Sequence, residues 1–245
     1  MFDFSGQVAV VTGGASGLGK CIVENFARSG AKVIVLDVCK VLPQKFNGLD
    51  ITLITLDVTN EFAVSDAANQ ILEQFGKVDC LVNCAGITRR MPAEEFNTSD
   101  FELVVKVNLE GTFLCCREFG KRMLEAGHGA IVNIASLGAH VAITNSAAYC
   151  ASKGGVAQLT KTLGVEWAAR GVRVNALTPG VFETPLLRQC IEQNASYGDN
   201  MLAKIPMGRF GKPQDLAGPA LFLCSDMASY ITGHILAVDA GYLAQ

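Results

Sequence analysis

The sequence predicts an α/β fold, with one domain over residues 1–245 built as a doubly wound sheet of seven mostly parallel strands and helices on both faces. Two observations carry that expectation, and a third limits it. Seven short β-branched or apolar runs are interleaved with longer helical stretches, the rhythm of parallel strands joined by crossover helices. A glycine-rich turn joins the first run to the first helical stretch. Half of the 245 residues are hydrophobic, enough to bury a large core, and no Pro/Ser-rich linker or internal repeat divides the chain.

The first strand is read at Val8–Val11 and passes into Thr12-Gly13-Gly14-Ala15-Ser16-Gly17-Leu18-Gly19, where a helix over Gly17–Ser29 begins. Such a turn brings backbone N–H groups and a helix N-terminus up to a pyrophosphate, and glycines permit the close approach. Gly13, Ser16, Gly17, Leu18 and Gly19 are therefore candidate cofactor contacts. The second strand, Lys32–Leu36, leads to Asp37, eighteen positions beyond Gly19. A carboxylate there can accept hydrogen bonds from both ribose hydroxyls of an adenosine and repels a 2′-phosphate, which favours NAD over NADP. Lys40 is the nearest cation that an extra phosphate could use. The link to the third strand, Thr52–Leu56, barely reaches the dozen or so residues of a parallel crossover, and Pro43 and Gly48 leave room for about one helical turn.

A helix over Glu61–Phe75 precedes the fourth strand, Asp79–Asn83, which ends in Asn83-Cys84-Ala85-Gly86. Ile87-Thr88-Arg89-Arg90 follow at the carboxyl end of that strand, the edge at which open α/β sheets bind ligands. A guanidinium here can clasp a carboxylate, although adjacent loop arginines are also commonly solvated. One long helix is read over Ser99–Glu125, and the fifth strand, Ala130–Ala135, delivers Ser136. A helix over Ala148–Ala169, a strand over Arg173–Leu177, a helix over Pro213–Leu223 and a strand over Ile235–Val238 complete the order. His140 and Ile143–Asn145 are read as a pocket wall, with His140 either bonded to a substrate hydroxyl or solvated. Residues 181–210 are read as a substrate lid.

Tyr149 and Lys153 lie four apart and so share a helix face. A phenol is a poor base, with a reference pKa near 10; to work near neutrality it must be stabilised by roughly 4 kcal/mol, the order supplied by an ammonium about 4 Å away at an effective dielectric near 20. The spacing alone occurs often by chance, and the surrounding motifs decide its meaning.

The formal net charge is -3 and no Lys/Arg block stands out, so neither nucleic acid nor an anionic membrane surface is an expected partner. With no signal-like start and no apolar run long enough to span a bilayer, the expected location is the cytoplasm. The nine cysteines include no Cys-x-x-Cys pair and fall largely in apolar segments, where they read as buried thiols. Cys80 and Cys84 have no histidine nearby, and no metal is expected.

Taken together, Gly13, Gly17, Gly19, Asp57, Asn83-Cys84-Ala85-Gly86, Asn108, Ser136, Tyr149, Lys153 and Pro179-Gly180 resemble the short-chain dehydrogenase/reductase family over essentially the whole length. The resemblance implies a Rossmann-type domain and assigns roles to matching positions. Tyr149 would be the general acid or base, Lys153 would lower its pKa and bind the nicotinamide ribose, Ser136 would hold the substrate oxygen, and Asn108 would anchor a water continuing the proton relay. Asp57 and Val58 would flank the adenine; Asn83, Ala85 and Gly86 would line the adenosine ribose; Pro179, Gly180, Val181 and Thr184 would fix the nicotinamide. Two departures stand out. Cys84 occupies the second asparagine of the usual Asn-Asn-Ala-Gly, putting a structural hydrogen bond in doubt, and Ala240 replaces the first glycine of Val-Asp-Gly-Gly, implying altered packing of the last strand.

Arg89-Arg90 and the stretch Ile205–Pro213 look most like the gluconate 5-dehydrogenase and 2-deoxygluconate 3-dehydrogenase branch, implying a small sugar acid or polyol as substrate, with Ser136, Tyr149, Arg89, Arg90 and His140 facing it. The same stretch is common among fatty-acyl reductases of the family, so a 3-oxoacyl thioester reductase is the alternative enzyme. A non-catalytic NAD-sensing protein is the alternative of another class. The family commonly forms homotetramers through helices that here would span Asp100–Glu125 and Tyr149–Arg170.

Overall fold

The strands are apolar on both faces, as burial between two helical layers requires. Val8 and Val10 point into one core while Ala9 and Val11 point into the other, and Ile34 and Leu36 alternate with Val33 and Val35 in the same way. The computed structural model describes residues 2–41, 46, 48–184, 187, 191–192 and 195–245. Among these, β1 (Val8–Thr12), β2 (Lys32–Asp37), β3 (Ile51–Thr55), β4 (Cys80–Asn83), β5 (Gly129–Ile134), β6 (Val172–Pro179) and β7 (Ile235–Val238) form one sheet in the order β3-β2-β1-β4-β5-β6-β7. Every pairing is parallel.

The helices are α1 (Gly17–Arg28), α2 (Glu61–Phe75), α3 (Thr98–Val105), α4 (Gly111–Ala126), α5 (Ala147–Ala168), α6 (Ala195–Leu202) and α7 (Pro213–Cys224). α1 and α7 cover one face through Ile22, Phe26, Leu216 and Ala220, and α2, α4 and α5 cover the other through Val64, Ile71, Phe119 and Leu163. Local signals end several of these helices as chemistry demands. Asn60 caps α2 by accepting the Ala63 N–H at 3.1 Å, and Gly76 ends it in a left-handed conformation, φ 75°.

The chain builds β1, β2 and β3 outward in one direction, then returns to place β4 against the other side of β1. That reversal opens a crevice beyond the carboxyl ends of β1 and β4, where a doubly wound sheet binds ligands.

Two expectations need adjustment. The single helix expected over Ser99–Glu125 is two helices, α3 and α4, joined by a π turn over Lys106–Glu110. Its residue types are ordinary helix formers, so periodicity alone is blind to the extra residue; Gly111 is the one local sign, because a Cβ there would lie 2.7 Å from Val58 Cγ2. The third strand starts and ends one residue earlier than expected, in register with β2 from Val33↔Ile51 to Asp37↔Thr55. Pro43 in the short β2–β3 link, and residues 185–186, 188–190 and 193–194 of the expected lid, lie outside the described residues. No helix among the described residues is long and apolar enough to cross a membrane.

Candidate active site

β1 ends at Thr12, and its side chain holds the crevice together. Thr12 Oγ1 accepts the N–H groups of Cys84 and Ala85, each at 3.1 Å, tying the ends of β1 and β4. The two chains approach so closely that a Cβ on Gly13 would lie 2.8 Å from Ala85 Cα, and one on Gly19 would lie 2.3 Å from the Gly13 carbonyl oxygen. Only glycine fits at both positions. The resulting cleft, about 660 Å³, runs from Asp37 past Gly13, Ser16, Gly17, Leu18 and Gly19 to Tyr149 and Lys153.

At one end, Asp37 closes β2. Its Oδ2 accepts the Ala15 N–H at 3.0 Å and its Oδ1 accepts the Cys39 N–H at 3.1 Å, so the carboxylate is held at the lip of the glycine turn. An ionised carboxylate has about four acceptor positions, which leaves capacity for two more donors. Val38, Leu56, Asp57 and Val58 line the same end. The glycine cradle and the anchored carboxylate therefore fit a dinucleotide of the NAD type.

At the other end, Ser136 follows β5 and is buried, with Oγ accepting the Gly138 N–H at 3.1 Å. Tyr149 sits in the first turn of α5. Burial raises its phenol above the ordinary value, while hydrogen bonding to Ser136 and the positive charge of Arg90 pull it down. Lys153 is buried one turn further on, and burial pushes its ammonium down to about 8. Its Nζ donates to the Ile134 carbonyl at 2.6 Å and lies 5.9 Å from the centre of the Tyr149 ring. The ammonium thus sits over the Tyr149 ring while it is bonded to the end of β5. The polypeptide's own groups leave the phenol above rather than below its usual range, because burial outweighs the charges that favour phenolate.

Asn108 is completely buried on the π turn. Its Oδ1 accepts the Ile87 N–H at 2.8 Å, and its Nδ2 donates to the Ile87 carbonyl at 2.9 Å and to Ser152 Oγ at 3.0 Å. Ser152 passes the link on by donating to the Tyr149 carbonyl at 2.8 Å. Sequence reasoning missed Thr12, Ser152 and the role of Ile87. Ser152 had a readable signal, lying three residues after Tyr149 on its helix; Thr12 and Ile87 had none, since each acts across distant segments.

Other expected residues are distributed unevenly. Ala85, Gly86 and Thr184 line the cleft. The Asn83 side chain turns away from it into the interior, where Nδ2 donates to Asn133 Oδ1 at 2.8 Å. Among the described residues, Asn83 Oδ1 is a buried side-chain atom with no partner, and Cys84 beside it lines the cleft. Pro179 closes β6, while Gly180 and Val181 face a second cavity of about 370 Å³. Arg89 lines the cleft but is engaged, with Nε 3.6 Å from Asp100 Oδ1. Arg90 is exposed and acts on Tyr149 through its charge. His140 is exposed, with Nε2 2.9 Å from Thr178 Oγ1, which ties the ring to the end of β6. The eight described cysteines are free thiols, and no metal-holding group occurs among the described residues.

The chain is similar to known proteins along its length. A family model described as enoyl-(acyl carrier protein) reductase matches residues 13–243. A D-threitol dehydrogenase from Mycolicibacterium smegmatis is 43% identical, over 98% of this chain and 95% of the relative. An NAD-dependent glycerol dehydrogenase from Listeria innocua is 37% identical, over 98% of this chain and 95% of its own length. The crystal structure of a gluconate 5-dehydrogenase from Burkholderia cenocepacia, in complex with NADP and tartrate, superposes with a TM-score of 0.94 at 33% identity, covering 100% of this chain and 98% of the other. With the glycine cradle, the anchored Asp37, Tyr149 and Lys153 in one crevice, and relatives matching along its whole length, the chain belongs to the short-chain dehydrogenase/reductase family.

Proposed function

We propose that the protein is an NAD-dependent oxidoreductase that interconverts a secondary alcohol and a ketone on a small hydroxylated substrate, a sugar acid or polyol. The observation that carries this reading is one cleft with an anchored carboxylate, Asp37, at its adenosine end and Tyr149 and Lys153 at its reacting end, with Ser136 hydrogen-bonded to Tyr149. When bound, the nicotinamide supplies or accepts the hydride. In the oxidising direction Ser136 holds the substrate hydroxyl and Tyr149 Oη takes its proton; in the reducing direction the phenol returns it. Lys153, held by the Ile134 carbonyl, gives the adjoining ribose a donor and biases the phenol toward its ionised form. Asn108 keeps a water on the path beyond Lys153. Its amide is committed to Ile87 and Ser152, and its backbone carbonyl, which accepts the Thr112 hydroxyl at 2.7 Å, keeps a second lone pair for that water.

Asp37 supports NAD, because a carboxylate repels a 2′-phosphate. Named relatives act on threitol and glycerol, and a solved relative on gluconate, which supports a hydroxylated substrate. Residues 181–210 act as the lid. Arg89 and Arg90 favour an acidic substrate, with His140 beside a hydroxyl. We also read α4 and α5 as the assembly faces of a cytoplasmic homotetramer. Phe113 and Val165 on these helices are exposed, whereas Leu114 and Leu163 are spent on the chain's own core.

A dehydrogenase screen of polyols, sugar acids and 3-hydroxyacyl thioesters with NAD and with NADP tests the reading. The expected result is turnover of a polyol or sugar acid with NAD, and loss of the acidic substrates alone in Arg89→Ala or Arg90→Ala. Turnover confined to acyl thioesters with NADP would replace the proposed substrate class and cofactor. Tight NAD binding with no turnover would favour a sensing protein instead. Size-exclusion chromatography with light scattering tests the tetramer.

A further inference from the structure

Asn145 and Ala240 are the non-glycine residues with positive φ among the described residues, and Asn145 lies four positions before Tyr149 with φ 59°. Left-handed backbone is disfavoured for residues bearing a Cβ, least so for asparagine, and it persists where the surroundings enforce it. Here the surroundings are specific. The Asn145 carbonyl accepts the Met91 N–H at 3.1 Å, joining the loop after β4 to the loop before α5. Ser146, next in the chain, is buried; its hydroxyl donates to the Thr144 carbonyl at 3.3 Å, and its own carbonyl accepts the Cys150 N–H at 2.8 Å in the turn that carries Tyr149.

The loop after β4 is pinned a second time at Ile87, through Asn108 and Ser152 to the Tyr149 carbonyl. Met91 and Ile87 thus connect the same loop to the same tyrosine by two routes. Between them lie Thr88 and Arg89, which line the cleft, and Arg90, whose charge acts on the phenol.

We propose that Asn145 is a positioning residue: its left-handed backbone aims its carbonyl at Met91 and so fixes the 87–91 loop against the Tyr149 turn, setting where a hydroxylated substrate sits relative to the phenol. It acts through Met91 and Ser146 and touches no reacting atom. The kinetic consequence rests on the proposed alcohol–ketone chemistry, whereas the backbone coupling does not.

Three variants separate these elements. Asn145→Gly retains the left-handed backbone, Asn145→Val opposes it through a β-branched side chain, and Met91→Pro removes the N–H that Asn145 holds. Each is examined by amide hydrogen exchange of the segments 86–92 and 145–150 and by steady-state kinetics. Asn145→Val and Met91→Pro are expected to speed exchange in both segments by about tenfold and to raise the substrate KM by about fivefold or more. The Kd for NAD stays within about twofold, because the glycine turn and Asp37 are outside this circuit. Asn145→Gly is expected to keep wild-type exchange in both segments, with any rise in KM well below that of Asn145→Val. Unchanged exchange and KM in Asn145→Val, or an equal loss in Asn145→Gly, overturns the proposal; should Asn145→Val fail to fold, Met91→Pro decides by the same two readouts. A wild-type protein inactive on every substrate would sink the proposed function, and the exchange data would then decide the coupling by themselves.

Discussion

Replacing Lys153 by methionine removes a buried cation and should change how stability depends on pH. Burial lowers its folded-state pKa from 10.5 to about 8. At 1.36 kcal/mol per pH unit this is a penalty of about 3 kcal/mol on the charged form. The sign follows from proton binding. Below pH 8 both folded and unfolded lysine are protonated, and the penalty is fully present. Between about pH 8 and 10.5 the unfolded chain binds more protons than the folded one, so stability rises with pH. By pH 10, about 2–3 kcal/mol should have been recovered by the wild type relative to Lys153→Met. The lost hydrogen bond to Ile134 adds an offset that does not vary with pH, since a neutral amine also donates. Urea unfolding of both proteins without cofactor at pH 7, 8, 9 and 10 measures the difference. Thiols remote from Lys153 are common to both and cancel, and Cys84→Ala in both backgrounds removes the thiol that the Lys153 charge acts on. A difference that stays flat to within about 0.5 kcal/mol from pH 7 to 10 would refute the buried, charge-penalised lysine.

Four further outcomes can be checked. Tyr149→Phe should lower kcat by about 10²–10⁴-fold or more while calorimetric titration finds NAD binding intact; near wild-type turnover would end the proposed mechanism. Asp37→Asn should shift the NADP/NAD ratio of kcat/KM toward NADP by about tenfold, since it removes charge but keeps an acceptor, and an unchanged ratio would show that another group sets the preference. Gly19→Ala places a Cβ against the Gly13 carbonyl oxygen and should weaken NAD binding by about tenfold or more in a fluorescence titration, with unaltered affinity as the contrary result. Ala240→Gly relieves a left-handed backbone of φ 56° and should raise the Tm by about 2–4 °C in scanning calorimetry; a lowered Tm would count against strain there.

The succession of strands and helices, the glycine turn, Asp37 and the spacing of Tyr149 and Lys153 can be read without coordinates, because each is written in local periodicity or in neighbours a few residues apart. Glu61–Phe75 and Ile235–Val238 were legible to the residue, having clear turn or cap signals at their ends. The tertiary structure alone decided which way polar side chains turn. Asn83 faces Asn133, fifty positions away, and Asn108 faces Ser152, forty-four away. Lys153 donates to the Ile134 carbonyl, nineteen positions away, and the π turn at Lys106–Glu110 interrupts a sequence that reads as continuous helix. In each case the partner comes from a distant segment, and a buried polar group takes whichever donor or acceptor the packed sheet and helices bring within reach.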